Sequence, residues 1–218
     1  MRLEALTRAM ESYRGQGHAL LEKLIDPEAA SRIVAQFIAA CREHGKSVRT
    51  GPQNRTAVRG AAVQVYGNRY PALAAFHWGL TPVMSAVTGL DLIPSYSMFR
   101  VYSRGATLRV HRDRPASEHG LSLTLACSGD AAWPLEIATE GEEAEIPLLA
   151  DWGDLPHRAY TMLTGDGLLY RGPTHAHART TPNPNDSSVH GFMFWVDANG
   201  PHADWGYERR APSERDLD

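Results

Sequence analysis

The sequence predicts an α+β protein, mainly β, in which helices fill the N-terminal part and a closed barrel or two-sheet sandwich follows. Three observations carry this reading. Apolar residues recur at helical spacing over roughly the first ninety positions. From Ser95 onward they alternate instead, as on a strand whose successive side chains point to opposite faces. The alternating part is cut into short pieces by Gly, Pro and Asp, the signature of a many-stranded β-fold rather than of βαβ units. A chain of 218 residues suffices for one domain with a sizeable core. Its expected parts are N-terminal helices and a connecting segment (1–94), a β core (95–201) and a C-terminal tail (202–218) whose end, YERRAPSERDLD (207–218), is charged and expected to be poorly ordered.

Taken in order, Leu3, Leu6 and Met10 mark a first helix. A clearer one runs from Pro27 to about His44: Asp26 suits the N-cap, Pro27 the first turn and Glu28 the positive helix end. Its stripe is Ile33, Val34, Phe37, Ile38 and Cys41, and Gly45 closes it. Residues 45–69 read as an irregular connection with a short strand at Ala62–Tyr66. A further helix starts near Pro71 with Leu73, Phe76, Leu80 and Met84 on one stripe, a kink at Pro82 and a stop at Gly89. His77 lies on or beside that stripe and reads as a packed histidine with its polar tip satisfied. The expected strands are Tyr96–Ser103, Thr107–His111, Leu121–Ser128, Trp133–Thr139, Glu145–Leu149, Ala159–Leu163, Gly167–Arg171 and Ser188–Asp197. A piece at Ala176–Arg179 extends the seventh.

Composition removes several classes. A net charge of −3 and scattered arginines offer no basic stripe for nucleic acid. No apolar run approaches the ~18–20 residues that span a bilayer, and the N-terminus lacks the apolar centre of a secretory signal. The two cysteines, Cys41 and Cys127, form neither a disulfide framework nor a C-x-x-C pair and read as small core residues. The expectation is a soluble, cytoplasmic protein that binds neither nucleic acid nor membrane, its oligomeric state left open.

The most informative stretch is SYSMFRVYSRGATLRVHRDRPASEH (95–119), because it holds His111-Arg-Asp113. Residues two apart on a strand share a face, so His111 and Asp113 can offer an imidazole nitrogen and a carboxylate oxygen to one metal. The cluster Thr174-His-Ala-His177-Ala-Arg179, near a second strand, can supply a third ligand through His175 or His177. Two histidines and a carboxylate on one face, with other positions open, is the donor set of non-heme Fe(II) oxygenases.

With these pieces in order the chain resembles the Fe(II)- and 2-oxoglutarate-dependent oxygenase superfamily, in particular its small prolyl-hydroxylase-like bacterial members. The resemblance rests on Arg100-Val-Tyr102 followed by Gly105, on LRVHRDR (108–114), on WPLE (133–136), on GDGLLYRG (165–172) leading into His177-Ala-Arg179, and on FWVDANGP (194–201). It covers roughly Ser95 to Pro201. It implies a double-stranded β-helix (jelly-roll) core buttressed by the N-terminal helices, with Fe(II), 2-oxoglutarate and O2 as cofactor and cosubstrates. It places His111, Asp113 and His177 as metal ligands, His177 being favoured over His175 because Arg179 follows it at the family's spacing. It also implies a cation for the distal carboxylate of 2-oxoglutarate. Relatives carry an Arg or Lys about ten residues after the distal histidine, where this chain has Asn185 to His190 and neither residue type. Arg179 is the leading replacement, with Arg100, Arg171 and His190 behind it, and Tyr102 matches a tyrosine that lines the cosubstrate pocket. The carboxylate Asp113 argues for hydroxylation, since halogenating relatives lack it.

The implied reaction is hydroxylation of an unactivated C–H bond in a small molecule, amino acid or short peptide, with release of succinate and CO2. The alternative is a cupin-type metalloenzyme, an isomerase or a dioxygenase that does not use 2-oxoglutarate; the H-x-D without a nearby Glu argues against it. Trp152, which no periodicity explains, is a candidate substrate-facing aromatic. Trp133 and Trp195 read as core, Glu118 and His119 as the pocket mouth or a solvated loop, and His18, His44, His157 and His202 as surface residues.

Overall fold

In a computed structural model, residues 3–43, 51–52, 57–144 and 146–208 are described. Helix α1 spans Leu3–Gln16, α2 Pro27–Glu43 and α3 Pro71–Thr88. Between and after them run β1 (His18–Leu21), β2 (Gly51–Pro52), β3 (Val58–Arg59), β4 (Ala61–Tyr66), β5 (Leu92–Ser103) and β6 (Thr107–His111). The series continues with β7 (His119–Cys127), β8 (Leu135–Ala138), β9 (His157–Tyr160), β10 (Gly167–Tyr170), β11 (His177–Arg179) and β12 (Ser187–Asp197). They form two antiparallel sheets, one ordered β1-β10-β7-β12-β5-β4-β2 and the other β3-β6-β11-β8-β9. From β5 to β12 the chain crosses between the sheets at every step except the β8–β9 hairpin, which is the jelly-roll arrangement, and the expected α+β, mainly β class holds.

The capping residues act as expected. The Asp26 carboxylate accepts the Glu28 N–H at 2.8 Å, and Gly89 ends α3 in the left-handed region at φ 74°. Helix α3 is one helix running through Pro82. The helices cover the outer face of the seven-stranded sheet: Phe37 of α2 meets Phe99 of β5 edge-on at 4.8 Å, and Leu73 and Met84 of α3 join the same core. Phe99 and Val101 point to the helices, so their neighbours Met98, Arg100 and Tyr102 point between the sheets. That alternation builds the inner wall of the site.

Several expectations are corrected. The N-terminal part is not all helical: β1 pairs with β10 over His18↔Tyr170 to Leu21↔Gly167. Four residues with no strand signal of their own become a strand because β10 offers them an edge. His18 is therefore buried, its Nε2 against the Tyr160 hydroxyl at 3.0 Å, and is not a surface residue. Of the expected strand Glu145–Leu149, Glu145 lies outside the described residues and 146–149 carry a single bridge, between Leu149 and Val110; Pro147 has no N–H to give a ladder. Strand β11 does not extend β10 but lies in the opposite sheet, the intervening turn carrying the chain across. Gly45, His44, the Cys41 side chain and residues 209–218 lie outside the described set.

Candidate metal centre and its cavity

His111 ends β6 and His177 begins β11, and the two are directly paired across the strands, with ring centroids 4.3 Å apart. Asp113 lies two residues past His111, where its N–H donates to the Gly172 carbonyl at 3.0 Å. The intervening Arg112 turns to the other face, pairing with Glu142 at 3.0 Å and donating to the Ala144 carbonyl. The Asp113 carboxylate then sits between the rings: Oδ1 is 3.8 Å from His111 Nε2 and Oδ2 is 3.7 Å from His177 Nε2. One ligand atom from each of the three lies within 4.8 Å of the others, and this is the one such cluster among the described residues.

Electrostatics prepare these atoms for a cation. His111 Nδ1 bonds the Arg109 carbonyl at 2.8 Å and His177 Nδ1 the His175 carbonyl at 3.1 Å. A carbonyl only accepts, so both Nδ1 atoms carry the hydrogen and both Nε2 lone pairs face Asp113. Burial pushes both imidazoles down to about 4, with the neighbouring His177 adding to the effect at His111, so both are neutral at pH 7. Burial pushes the Asp113 carboxyl up, against the opposing pull of His111 and Arg100, and its Oδ2 is buried without a hydrogen-bond partner. Two inward lone pairs and an orphaned carboxylate oxygen fit a divalent cation, whose charge would reverse the shift at Asp113.

Behind the triad, between the two sheets, lies a second unsatisfied group. Arg179, two residues past His177, is wholly buried beside Tyr102 and Trp133, with its guanidinium 4.7 Å from the Trp133 ring centroid. It donates to the Trp133 carbonyl and reaches His190 Nδ1 at 3.4 Å, while its Nε and His190 Nε2 are buried without partners. No carboxylate among the described residues pairs with it. Burial lowers it to about 10, still protonated at neutral pH. Burial and the charges of Arg179 and Arg100 keep His190 neutral. A buried cation flanked by orphaned donors fits the distal carboxylate of a dicarboxylic acid.

Of the residues singled out from sequence, His111, Asp113, His177, Tyr102, Arg100, Arg179 and His190 all face the space between the sheets. Arg171 does not: its side chain is exposed and lies over the Tyr13 ring. His175 is excluded as a free ligand, its Nε2 held by the Gln16 carbonyl at 2.9 Å and its Nδ1 beside Thr174 Oγ1 at 3.0 Å. Trp152 is not substrate-facing. It packs with Val110 and Ala178, which alternate with His111 and His177 and so lie on the outer face, and it donates to Glu136 at 2.7 Å. His119 is no loop residue but a buried member of β7, 2.5 Å from the Tyr13 hydroxyl. Trp133 and Trp195 are buried as expected. His77 is buried edge-on to Trp195, but its Nε2 has no partner. Sequence reasoning missed Tyr96, Tyr170 and Gln64. Tyr170 lies 4.5 Å from the His177 ring and favours the charged form of Asp113. Counting back in twos from Tyr102 would have placed Tyr96 on the inner face.

No protein-family model and no curated protein matches the chain. Solved structures do. The non-heme alpha-ketoglutarate-dependent epimerase SnoN from nogalamycin biosynthesis superposes with a TM-score of 0.67 at 14% identity, over 90% of this chain and 82% of that one. SnoN has also been solved with Fe3+ and alpha-ketoglutarate. A Pseudomonas putida prolyl-4-hydroxylase matches at 0.59 and 14%, over 87% and 98%, and a 2OG-Fe(II) oxygenase-family oxidoreductase from Burkholderia pseudomallei at 0.64 and 12%, over 89% and 92%. The fold is that of the Fe(II)/2-oxoglutarate oxygenases, a double-stranded β-helix. These neighbours differ in reaction, so the fold alone does not choose among their chemistries.

Proposed function

We propose that this protein is an Fe(II)- and 2-oxoglutarate-dependent dioxygenase that hydroxylates an unactivated C–H bond of a small molecule, amino acid or short peptide. The observation that carries the reading is the pair of histidines whose Nδ1–H groups are tied to carbonyls, so that both Nε2 atoms and Asp113 converge on one point. His111, Asp113 and His177 hold the metal on one side and leave its other positions open. When bound, Fe(II) and 2-oxoglutarate supply the oxidation: the keto acid loses CO2 and becomes succinate, which keeps one oxygen of O2 while the other enters the substrate.

The chain's own residues orient and protect this chemistry. Arg179 holds the distal carboxylate of 2-oxoglutarate, with His190 Nε2 and the Tyr102 hydroxyl beside it. Burial of Tyr102, Trp133 and Tyr170 keeps water from this end, so the charged contacts act in a medium where they are strong. The fold, shared with enzymes that hydroxylate and with an epimerase, supports the oxygenase class.

The test is anaerobic addition of Fe(II) and then 2-oxoglutarate to the purified protein. We expect a visible metal-to-ligand charge-transfer band that His111→Ala abolishes. Removing one partner of a buried ion pair costs about 3–5 kcal/mol, so Arg179→Gln should weaken 2-oxoglutarate binding at least about a hundredfold. A folded, iron-loaded protein without the band would replace this reading with the cupin-type alternative.

A further inference from the structure

Resting on that reading, we infer that Arg100 is the recognition point for an anionic group, a carboxylate, on the prime substrate. The oxidised molecule is then an organic acid, seated against Arg100 with Gln64 and the tyrosines Tyr66 and Tyr96 around it.

Two guanidiniums, Arg100 and Arg179, face the space between the sheets and 2-oxoglutarate needs one; a third, Arg114, lies outside the strands over the Tyr96 ring, 4.6 Å from its centroid. Arg100 stands on β5 in a row that crosses three strands, Gln64↔Arg100↔His190, on the sheet opposite the metal ligands. Its Nε and Nη2 donate to Gln64 Oε1 at 2.9 and 2.5 Å, and its Nη1 to the Tyr102 hydroxyl at 3.0 Å. These contacts use three of the five N–H donors of an arginine. A fourth meets only the weak Met98 sulfur acceptor at 3.8 Å. All these partners are neutral, and no carboxylate among the described residues pairs with Arg100. The guanidinium also lies 5.3 Å from the Phe192 ring centroid, so its plane is fixed before any ligand arrives.

Exposure separates the roles of the two arginines. Arg179, His190, Tyr102 and Tyr170 are buried at one end, where a cosubstrate is enclosed. Arg100, Gln64, Tyr66 and Tyr96 are partly exposed, as are His111 and Asp113, whose side chains are 16% and 15% exposed against 4% for His177. The open side of the metal triad and Arg100 therefore share the approach that a substrate must use. Charge agrees. Among the groups that face the metal and cosubstrate, a divalent metal, Asp113, Arg100, Arg179 and dianionic 2-oxoglutarate leave one positive charge, and Arg114 over the Tyr96 ring does nothing to cancel it; a substrate carboxylate would. Tyr66 and Tyr96, with ring centroids 6.5 Å apart, give that substrate apolar walls.

The test titrates straight-chain monocarboxylates from acetate to octanoate, each against its primary amide, into anaerobic protein holding Fe(II) and 2-oxoglutarate. Calorimetry reads the added ligand and the charge-transfer band reads the cosubstrate. We expect the acids to bind wild type at least about tenfold more tightly than the amides. Arg100→Gln should lose that preference while keeping the band, and Arg100→Lys, a point charge without the planar fork, should keep part of it. Equal binding of acid and amide by wild type overturns the inference, as does a full preference surviving in either variant. Loss of the band in Arg100→Gln overturns it too, because Arg100 then serves 2-oxoglutarate. A wild type that forms no band removes the oxygenase reading itself, an outcome distinct from a band without acid preference. Should Arg100→Gln not fold, wild type and Arg100→Lys still decide.

Discussion

His175 and His177 stand two residues apart and would share a strand face, yet only one can serve a metal, because both ring nitrogens of His175 are engaged. We expect His175→Gln to retain Fe(II) and the 2-oxoglutarate charge-transfer band, and His177→Gln to lose both, as measured by metal analysis and spectroscopy. Spacing left both histidines in contention. What separates them is Gln16, whose carbonyl takes His175 Nε2 from the end of α1, a partner 159 residues away in sequence. The His111–Asp113 pair, by contrast, was legible from its spacing and its place in the order of motifs, although β6 ends at His111 and Asp113 is held by its N–H bond to the Gly172 carbonyl.

Elements hold these residues through close backbone approach. A Cβ on Gly172 would lie 2.4 Å from the Ser117 carbonyl oxygen and 2.8 Å from both Asp113 Cβ and Oδ2. The first neighbour is backbone and cannot swing away, so Gly172→Ala must displace the turn that carries Asp113. Titration should show weakened Fe(II) binding in this variant, with a thermal midpoint falling less than the metal affinity. Helix α1 docks on β7 through the 2.5 Å Tyr13–His119 contact, both residues buried. Leaving the His119 nitrogen unsatisfied costs about 1–3 kcal/mol, so Tyr13→Phe should lower the midpoint of chemical unfolding by a corresponding amount. Neither contact could be read from local pattern: helix periodicity marked α1 but said nothing of what it covers. Strand β1 escaped notice for the same reason, being a strand only by virtue of the β10 edge.

At the scale of the molecule, buried histidines set the response to acid. Burial lowers His77 to about 3, and burial lowers His18 and His119 to about 4, with His175 adding to the effect at His18 and Arg171 at His119. Free histidine titrates near 6.5, so between that value and about 4 the unfolded chain binds more protons than the folded one. Stability is then full above about pH 6.5 and declines as pH falls toward 4, by at most about 1.4 kcal/mol per pH unit for each histidine. Melting of the metal-free protein across this range should show the decline, and His77→Gln should make it shallower. A midpoint that stays level down to pH 4 would contradict the burial of these rings. Of the three, only His77 was legible in the sequence, as a packed histidine on the α3 stripe; His18 read as a surface residue and His119 as the pocket mouth or a solvated loop, and burial in the folded chain is the main cause of their lowering.

Local pattern in the sequence was enough for the fold class, the H-x-D pair of candidate ligands, most strands of the β core and the helix caps at Asp26 and Gly89. Each depends on short-range rules: a period of two or of 3.6, a side chain bonding a backbone two residues away, a backbone angle that glycine allows. Tertiary structure decided which histidine turns its free nitrogen to Asp113, that Trp152 lies on the outer face, and that Arg100 and Arg179 stand between the sheets with no carboxylate partner among the described residues. Those outcomes depend on which sheet each strand joins and on what lies across the gap. Burial then converts them into chemistry, neutralising imidazoles and leaving two guanidiniums with no carboxylate partner among the described residues.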